Sequence, residues 1–399
     1  MVNSERARRR KLSKMAYFDN NATTRPAPEV FDAMRPFLDA RFANPSSAHS
    51  AGRDAKKALT DAREDVATLL GAQFPEEIRF TSGGTESDNW AIRGALEANP
   101  DKRHIVTTRV EHEAVRRMCE TFETQGFRVS WLDVDDEGAL DLDQLKQALT
   151  DDTAVVSVML ANNETGILFP VNEIAVIVKE RSRALMHVDG VNATGKIPID
   201  LKDSAVDLFS ISAHKFHGPK GIGALYIRNG VRLPPFLIGG GQEFGKRAGT
   251  EATHQIAGLG AAAKFVADLS RMQQIRALRD RLEDEILENI PNSRLNGTAD
   301  RSLRLPNTSS ISFEGANGEM IMARLDEIGV AVSTGSACNS ESHQASPVME
   351  AMGVPYSYSM GSIRFSLGRF NTRAEVDLVT GALPEIVADL RAISGFGVK

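Results

Sequence analysis

The sequence predicts an α/β protein with a large domain built on a mostly parallel sheet and a smaller α/β domain after it. From Tyr17 onward, short β-rich runs that are apolar throughout alternate with helical segments, and strands of this kind are covered on both faces. A second strand–helix pattern begins after Pro291. The 399 residues agree with this division, since a domain takes about 150 residues.

An amphipathic helix is predicted over Arg53–Leu70, with apolar residues at helical spacing and Gly71 as its stop. Buried strands and crossover helices then alternate. The predicted strands are Ile105–Thr108, Val129–Leu132, Ala154–Leu160, Leu185–Asp189, Val206–Ser210 and Gly223–Ile227. The predicted crossover helices are Glu111–Gln125, Leu142–Leu149 and Val171–Arg181.

One long helical stretch is predicted from Glu251 to about Ile290, where Pro291 ends it. The smaller domain should then contain strand Ser309–Phe313, helix Glu319–Ile328, strands Val330–Ser333 and Ser362–Leu367, and a closing helix from Arg373. We expect the large domain to cover residues 15–265 and the small domain residues 266–399, with the first residues after Met15 joining the small domain.

Residues 1–14 form a basic segment almost without apolar side chains, which predicts a disordered arm. A targeting segment, a nucleic-acid tail, or a true start at Met15 are the alternatives. The net charge of −6 argues against broad nucleic-acid binding. No apolar run approaches the roughly 18 residues of a membrane span, so we expect a cytoplasmic protein without a membrane partner.

Only two cysteines, Cys119 and Cys338, occur in the sequence. This excludes a disulfide framework and a multi-cysteine metal site within one chain. We therefore expect no resident metal. Cys119 follows Met118 on a predicted helix and reads as a packing residue, whereas Cys338 lies among Gly and Ser residues, a setting that favours an exposed nucleophile.

Three segments of the large domain carry the predicted chemistry. An apolar strand is followed by Ser212, His214 and Lys215, and a lysine at the carboxyl end of a strand can be desolvated and form a Schiff base. Strand Leu185–Asp189 ends in a carboxylate that can pair with a buried cation such as a pyridinium nitrogen. The segment TSGGTESDN, residues 81–89, offers a phosphate-binding turn at a helix start. Together these features match the demands of pyridoxal phosphate.

Two further side chains complete the candidate site. His112 opens a predicted helix and can stack on a cofactor ring or move protons. Arg364 alternates with apolar Ile363 and Phe365 on a strand, so it either faces solvent or clamps a substrate carboxylate.

From about Tyr17 to its end, the sequence resembles the class V aminotransferase-like cysteine desulfurases, in particular the group I type (NifS/IscS-like) of nitrogen fixation and iron–sulfur assembly. The short GSAC loop before Asn339 is similar to group I. The other motifs that carry the resemblance are FDNNATT (18–24), NPSSAH (44–49), TSGGTES, EHEAV, NNETG (162–166), AHKFHGPKG, GGGQE and RAGTE (239–251).

The resemblance implies a pyridoxal-phosphate-dependent transferase fold, similar to aspartate aminotransferase, with a seven-stranded sheet in the large domain. It implies Lys215 as the cofactor-bonding lysine, Asp189 as the partner of the pyridine nitrogen, and His112 as the stacking and protonating residue. It also implies that Gly84, Thr85, Ser212 and His214 hold the phosphate, and that Asn163 contacts cofactor or substrate.

The resemblance further implies that Arg364 binds the substrate carboxylate and that Cys338 accepts sulfur as a persulfide and is a candidate transient ligand of an iron–sulfur cluster. Thr250 would reach the cofactor phosphate of a second subunit, which implies a homodimer. One departure concerns Asn192, which stands where the family usually has glutamine and is one methylene shorter. Its contact with the cofactor's phenolic oxygen is therefore either water-bridged or lost.

The function that the resemblance implies is removal of sulfur from L-cysteine, which gives L-alanine and an enzyme-bound persulfide for an iron–sulfur scaffold or another sulfur acceptor. A selenocysteine lyase, or another class V lyase or aminotransferase, would use the same cofactor site without Cys338. A scaffold or sulfur-relay protein without chemistry is a third alternative, against which the costly buried charges of Lys215 and Asp189 argue.

Overall fold

A computed structural model describes residues 15–334 and 345–395 of the chain. The predicted basic arm, residues 1–14, and Cys338 lie outside the described residues. The strands are β1 Ala16–Tyr17, β2 Ile78–Thr81, β3 His104–Thr108, β4 Arg128–Leu132, β5 Thr153–Met159, β6 Leu185–Asp189, β7 Leu208–Ser212, β8 Gly223–Ile227, β9 Ser293–Leu295, β10 Thr308–Phe313, β11 Val330–Ala331, β12 Ser333–Thr334 and β13 Ser362–Ser366.

The helices are α1 Pro28–Leu38, α2 Ser50–Leu69, α3 Gly84–Ala98, α4 Glu113–Thr124, α5 Leu142–Ala148, α6 Val171–Arg181, α7 Thr253–Ala267, α8 Ser270–Asn289, α9 Gly318–Glu327, α10 Pro347–Ala351, α11 Tyr356–Ser359 and α12 Arg373–Ser394. Short 3₁₀ turns span Pro75–Glu77, Ala213–Lys215 and Arg301–Leu303, and a helical turn spans Gln242–Gly245. No helix in the described parts of the chain is both long and apolar enough to cross a membrane.

A seven-stranded sheet in the order β2-β8-β7-β6-β5-β3-β4 forms the centre of the large domain. Strands β3 to β7 pair in parallel, and β8 runs antiparallel to both β7 and β2. The interior strands β5, β6 and β7 are buried almost throughout, as their unbroken apolar runs predict. The predicted α/β class and the mostly parallel seven-stranded sheet are therefore confirmed.

The smaller sheet has the order β12-β13-β10-β9 and is antiparallel. Its side chains share a hydrophobic core with α8, α9 and α12. Phe18 and Ala16 belong to this same core, and β1 pairs in parallel with β11. The start of the described chain thus packs with its C-terminal part, although the boundary at residue 265 stays a prediction.

Two elements that were predicted as continuous are each divided into two, so these predictions are wrong. The single helix expected from Glu251 to Ile290 is divided into α7 and α8 at Asp268, whose backbone leaves the helical region. The Asp268 carboxylate then accepts from the Ser270 N–H at 2.8 Å, which favours a new helix start there. The strand expected over Val330–Ser333 is divided between β11, which pairs with β1, and β12, which pairs with β13.

A buried ion pair joins α8 to the turn that precedes β10. Glu283 on α8 accepts two bonds from the Arg304 guanidinium, at 2.7 and 2.8 Å, and a third from the Ser309 hydroxyl at 2.7 Å. Both ionic side chains are almost fully buried. This pair fixes the chain on either side of Asn307 and Thr308, which both contact the candidate site through Asn21.

We expect Glu283→Gln to lower the free energy of unfolding by about 3 kcal/mol, because removing one partner leaves the Arg304 charge buried and uncompensated. Equilibrium unfolding in urea measures this loss. The control is Glu97→Gln, which removes an exposed pair with Arg93 and should cost less than about 0.5 kcal/mol. Equal stability of the two variants would contradict the structural role of the buried pair.

Candidate active site

The carboxyl ends of the parallel strands place the predicted site residues along one edge of the large sheet. Strand β6 ends at Asp189 and β7 ends at Ser212, directly before the turn that carries Lys215. The segments after β2, β3 and β5 contribute the remaining groups at this edge. In open α/β sheets, ligands bind at this edge of the sheet.

A cavity of about 150 Å³ lies at this edge. It brings together nine residues that the sequence predicted: Gly84, Thr85, His112, Asn163, Asp189, Asn192, Ser212, His214 and Lys215. Asp88, Met159, Ala161 and Val191 complete the lining.

The N-terminus of α3 forms one end of the cavity. Gly83 precedes it with φ +153°, a backbone angle that L side chains rarely adopt. A Cβ added to Gly84 would lie 2.7 Å from Val191 Cγ2, so glycine is required for this close approach. The free N–H groups of this first turn, together with Thr85 and Ser212, suit a phosphate.

The buried Asp189 carboxylate lines the same cavity and accepts from the Val191 N–H at 2.9 Å. Burial raises the pKa of Asp189, and the nearby His112 and Lys215 oppose this rise. A carboxylate in such a place is stabilised by a cation that enters the cavity. A protonated ring nitrogen fits this requirement.

His112 caps the N-terminus of α4, and its Nδ1 accepts from the Ala114 N–H at 3.2 Å. Burial lowers the pKa of His112, and Lys215 lowers it further, whereas Asp189 raises it. The neutral ring therefore carries its proton on Nε2, because Nδ1 acts as an acceptor. The helix begins at Glu113, two residues after the expected start at Glu111, and His112 is therefore its N-cap.

Lys215 and Arg364 are connected through the turn that follows Phe18. The Lys215 ammonium donates to the backbone oxygen of Asn21. The Arg364 guanidinium donates to Asp19 Oδ1 at 2.7 Å and to the Asn163 carbonyl at 3.0 Å. Arg364 is 6% exposed, so the alternative that it faces solvent is wrong. Its Nε is buried and has no partner within the described residues, which leaves one donor for a ligand.

Thr250 is exposed and does not line the cavity of its own chain. Cys338 lies outside the described residues, but the chain on both sides of its segment is close to the site. Ser333 pairs with Arg364, and the Ser346 hydroxyl donates to Glu164, the neighbour of Asn163, at 2.6 Å.

Sequence reasoning missed Asp88, Asn21 and Lys196 as individual site residues. Asp88 lines the cavity from α3, and burial and Asp189 raise its pKa well above the usual range. Asn21 and Lys196 are buried behind the cavity wall and hydrogen-bond to each other. The only sequence signal for Asn21 is its place in the FDNNATT motif, and nothing in the sequence distinguishes Lys196 from a lysine in an exposed loop.

These residues fit pyridoxal phosphate on structural grounds. A glycine-lined helix N-terminus suits the phosphate, a lysine amine suits the aldehyde, and a buried carboxylate with a raised pKa suits the ring nitrogen. The fold and the site together define a pyridoxal-phosphate-dependent enzyme.

Comparisons with known proteins agree with this class. The family model for aminotransferase class-V matches residues 16–379. A cysteine desulfurase of Trichormus azollae is 52% identical over 382 residues, which cover 95% of this chain and 94% of that protein. The cysteine desulfurase NifS of Azotobacter vinelandii is 48% identical, with the same coverage. A solved NifS-like protein is 39% identical, with a TM-score of 0.88 over 94% of this chain and 100% of that chain.

The chain therefore belongs to the class V aminotransferase family, among the cysteine desulfurases. Pyridoxal phosphate is the cofactor of this family, so the predicted cofactor and the recognised family are confirmed. The comparisons do not assign individual residues, whose roles stay predictions.

We expect Asp189→Asn to weaken pyridoxal phosphate binding about 30-fold, because it removes a charge-assisted hydrogen bond worth about 2 kcal/mol. The cofactor-free variant should be at least as stable as the original chain, since burial disfavours the Asp189 charge. Absorbance titration of the cofactor-free protein measures the affinity. Exposed Asp203→Asn is the control, and equal affinity of the two variants would contradict the assigned pairing.

Proposed function

We propose that this chain is a cysteine desulfurase that removes sulfur from L-cysteine, releases L-alanine and leaves a persulfide on Cys338. One observation carries the proposal: the carboxyl edge of the sheet brings Lys215, Asp189 and His112 into one cavity, with Arg364 beside it. The family membership supports the same substrate and reaction.

When bound, pyridoxal phosphate supplies an electron sink that stabilises negative charge at the α carbon of an amino acid. Gly84, Thr85, Ser212 and His214 would hold the phosphate, and Asp189 would keep the ring nitrogen protonated. Burial and Lys215 lower the pKa of His214 to about 4, so its ring is neutral at pH 7 and acts by hydrogen bonding. Lys215 would take the proton from the α carbon. The His112 ring would stack on the cofactor, donate a hydrogen bond from Nε2 in its neutral form and return a proton once it has itself been protonated.

Arg364 binds the substrate carboxylate. Its buried, unpartnered Nε supplies one donor, and a carboxylate that displaces Asp19 from Nη2 would give a second. Asp19 is 21% exposed at its side chain and can rotate toward water, whereas Arg364 is held from behind by the Asn163 carbonyl. Without substrate, the Asp19 carboxylate thus occupies the position on Arg364 at which the substrate carboxylate is to bind.

The sulfur step belongs to Cys338. Its thiolate attacks the substrate sulfur, so that a new S–S bond forms while the bond between Cβ and sulfur breaks. The electron pair of the broken bond ends on Cβ, which takes up a proton to give alanine. The positions of Ser333 and Ser346 support this role, since both flanks of the cysteine segment contact residues of the site.

We further propose that two copies of the chain form the enzyme and that Thr250 contacts the cofactor phosphate of the second copy. Thr250 lies at the end of an arm, residues 237–250, on which Ile238 is 94% exposed. Ion pairs from Glu243 to Arg63 and from Arg247 to Glu86 hold the middle of this arm against the large domain. Leu237 and Phe244 are also exposed, and exposed apolar side chains on an anchored segment suit an interface.

The persulfide has to pass to a separate acceptor. We propose an iron–sulfur scaffold protein, or another sulfur-acceptor protein, as that partner. The scarcity of thiols in the chain supports transfer to another molecule, because Cys119 is buried in the core and offers no internal acceptor.

We expect Cys338→Ala to keep the absorbance of bound cofactor but to form no cysteine-dependent persulfide, because only the attacking sulfur is lost. Mass spectrometry after incubation with L-cysteine measures the persulfide, and alanine and sulfide assays measure turnover. The matched control is Cys119→Ala, the other cysteine, which should retain both. Undiminished sulfide release by the Cys338 variant would contradict the mechanism.

A mixed dimer tests the role of Thr250. We expect Thr250→Val alone to weaken cofactor binding about tenfold, as for one lost hydrogen bond to an anion. In a heterodimer of one Thr250→Val chain and one Lys215→Ala chain, one site regains both native residues if Thr250 acts across the interface. That site should bind cofactor with the original affinity. A sedimentation mass of about 43.4 kDa, or weak binding in the heterodimer, would contradict the proposal.

A further inference from the structure

Lys196 is a buried lysine directly behind the cofactor cavity. It follows Gly195 in the loop after β6, and its residue is 7% exposed. In the described part of the chain, its ammonium donates to three amide oxygens: Asn192 O at 2.7 Å, Asn192 Oδ1 at 2.9 Å and Asn21 Oδ1 at 3.2 Å. Three acceptors match the three N–H donors of a lysine ammonium.

Burying this amine is costly. Burial lowers the pKa of Lys196 well below the usual range, and the positive charges of Lys215 and Arg364 lower it further. A methionine of similar length would fill the same space without this cost. The hydrogen bonds that Lys196 makes are therefore its distinguishing contribution.

Lys196 fixes the orientation of the Asn192 amide. A lysine can only donate, so it requires the oxygen of the amide on its own side. The Asn192 Nδ2 group is then turned away from Lys196, and it donates to the Asn162 carbonyl at 3.3 Å. An amide nitrogen has two hydrogens, and Asn192 lines the cofactor cavity, so one donor is left for that cavity.

The same ammonium connects Asn192 to the turn that holds Lys215. Asn21 accepts from Lys196 with its side chain and from Lys215 with its backbone oxygen. Lys196 and Lys215 also line the same small cavity of about 20 Å³, next to the cofactor site. The two amines are thus linked by one buried asparagine.

We propose that Lys196 is a positioning residue that fixes Asn192 with its amide nitrogen toward the cofactor's phenolic oxygen, and so makes the shorter side chain an effective donor. The inference rests on the proposed cofactor site. It concerns the chain's own residues and does not depend on the sulfur step at Cys338.

A donor at the phenolic oxygen stabilises negative charge there and thereby favours loss of the proton from the Lys215 nitrogen. The three acceptors around the Lys196 nitrogen favour its ammonium form against the effect of burial, and this positive charge acts in the same direction. Asp189, His112 and His214, which line the same cavity, also interact electrostatically with Lys215. Removing Lys196 leaves these groups in place.

We expect Lys196→Met to weaken pyridoxal phosphate binding about tenfold. It should also raise the pH midpoint of the cofactor's absorbance change by about one unit. Asn192→Ala should shift the midpoint in the same direction, and the double variant should bind cofactor no more weakly than Lys196→Met. Exposed Lys202→Met is the charge-matched control and should change neither quantity. Absorbance titrations with cofactor and with pH measure both effects, and circular dichroism checks folding.

An unchanged midpoint and affinity in folded Lys196→Met, or additive losses in the double variant, would overturn the proposal. If Lys196→Met does not fold, Asn192→Ala provides the test. An unchanged pH midpoint in that variant would show that the Asn192 amide donates no hydrogen bond to the cofactor, and the proposal would then be wrong. Failure of the original chain to bind cofactor would instead refute the proposed function and is therefore distinguishable.

Discussion

The parallel arrangement of β3, β5, β6 and β7 is the constraint on which the rest of the structure depends. It forces several strand ends to one edge, where the backbone stops pairing and polar side chains can face a ligand. Asp189 is the last residue of the apolar strand β6, and Lys215 lies in the turn directly after β7. Opposite charges thus meet without a long loop, and their separation is set by the spacing of neighbouring strands.

Burial of charge is the energetic counterpart of this arrangement. Asp189, Asp88 and Glu111 are all buried, and burial raises the pKa of each of them, that of Glu111 to about 8. A bound cationic ring removes part of this cost at Asp189, so cofactor binding also stabilises the fold. Lys215 and Lys196 donate to amide oxygens of Asn21 and Asn192 instead, which explains why these two asparagines lie beside them.

The sequence predicted the reactive side chains at the strand ends better than the buried hydrogen bonds among Lys196, Asn21 and Asn192. Lys215, Asp189 and His112 follow strands with strong apolar patterns, so their neighbourhood could be inferred from local signals. β2 is only four residues long, so its alternation of Ile78 and Phe80 with Arg79 is too short to predict a strand on its own. Lys196 and Asn21 are brought together from positions 175 residues apart, and no local pattern records such a contact. The break at Asp268 likewise coincides with one local hydrogen bond, from the Ser270 N–H to the Asp268 carboxylate, within a long helical pattern.

The two cysteines now have different physical settings. Cys119 is completely buried on α4, and burial raises the pKa of its thiol, so it neither ionises readily nor meets a sulfur donor. Cys338 lies in a segment whose flanks are fixed to the site through Ser333 and Ser346. A persulfide formed there has no second accessible thiol in the same chain with which to close a disulfide, because disulfide exchange requires access to a thiolate. Burial of Cys119 therefore directs the sulfur outward, to another molecule.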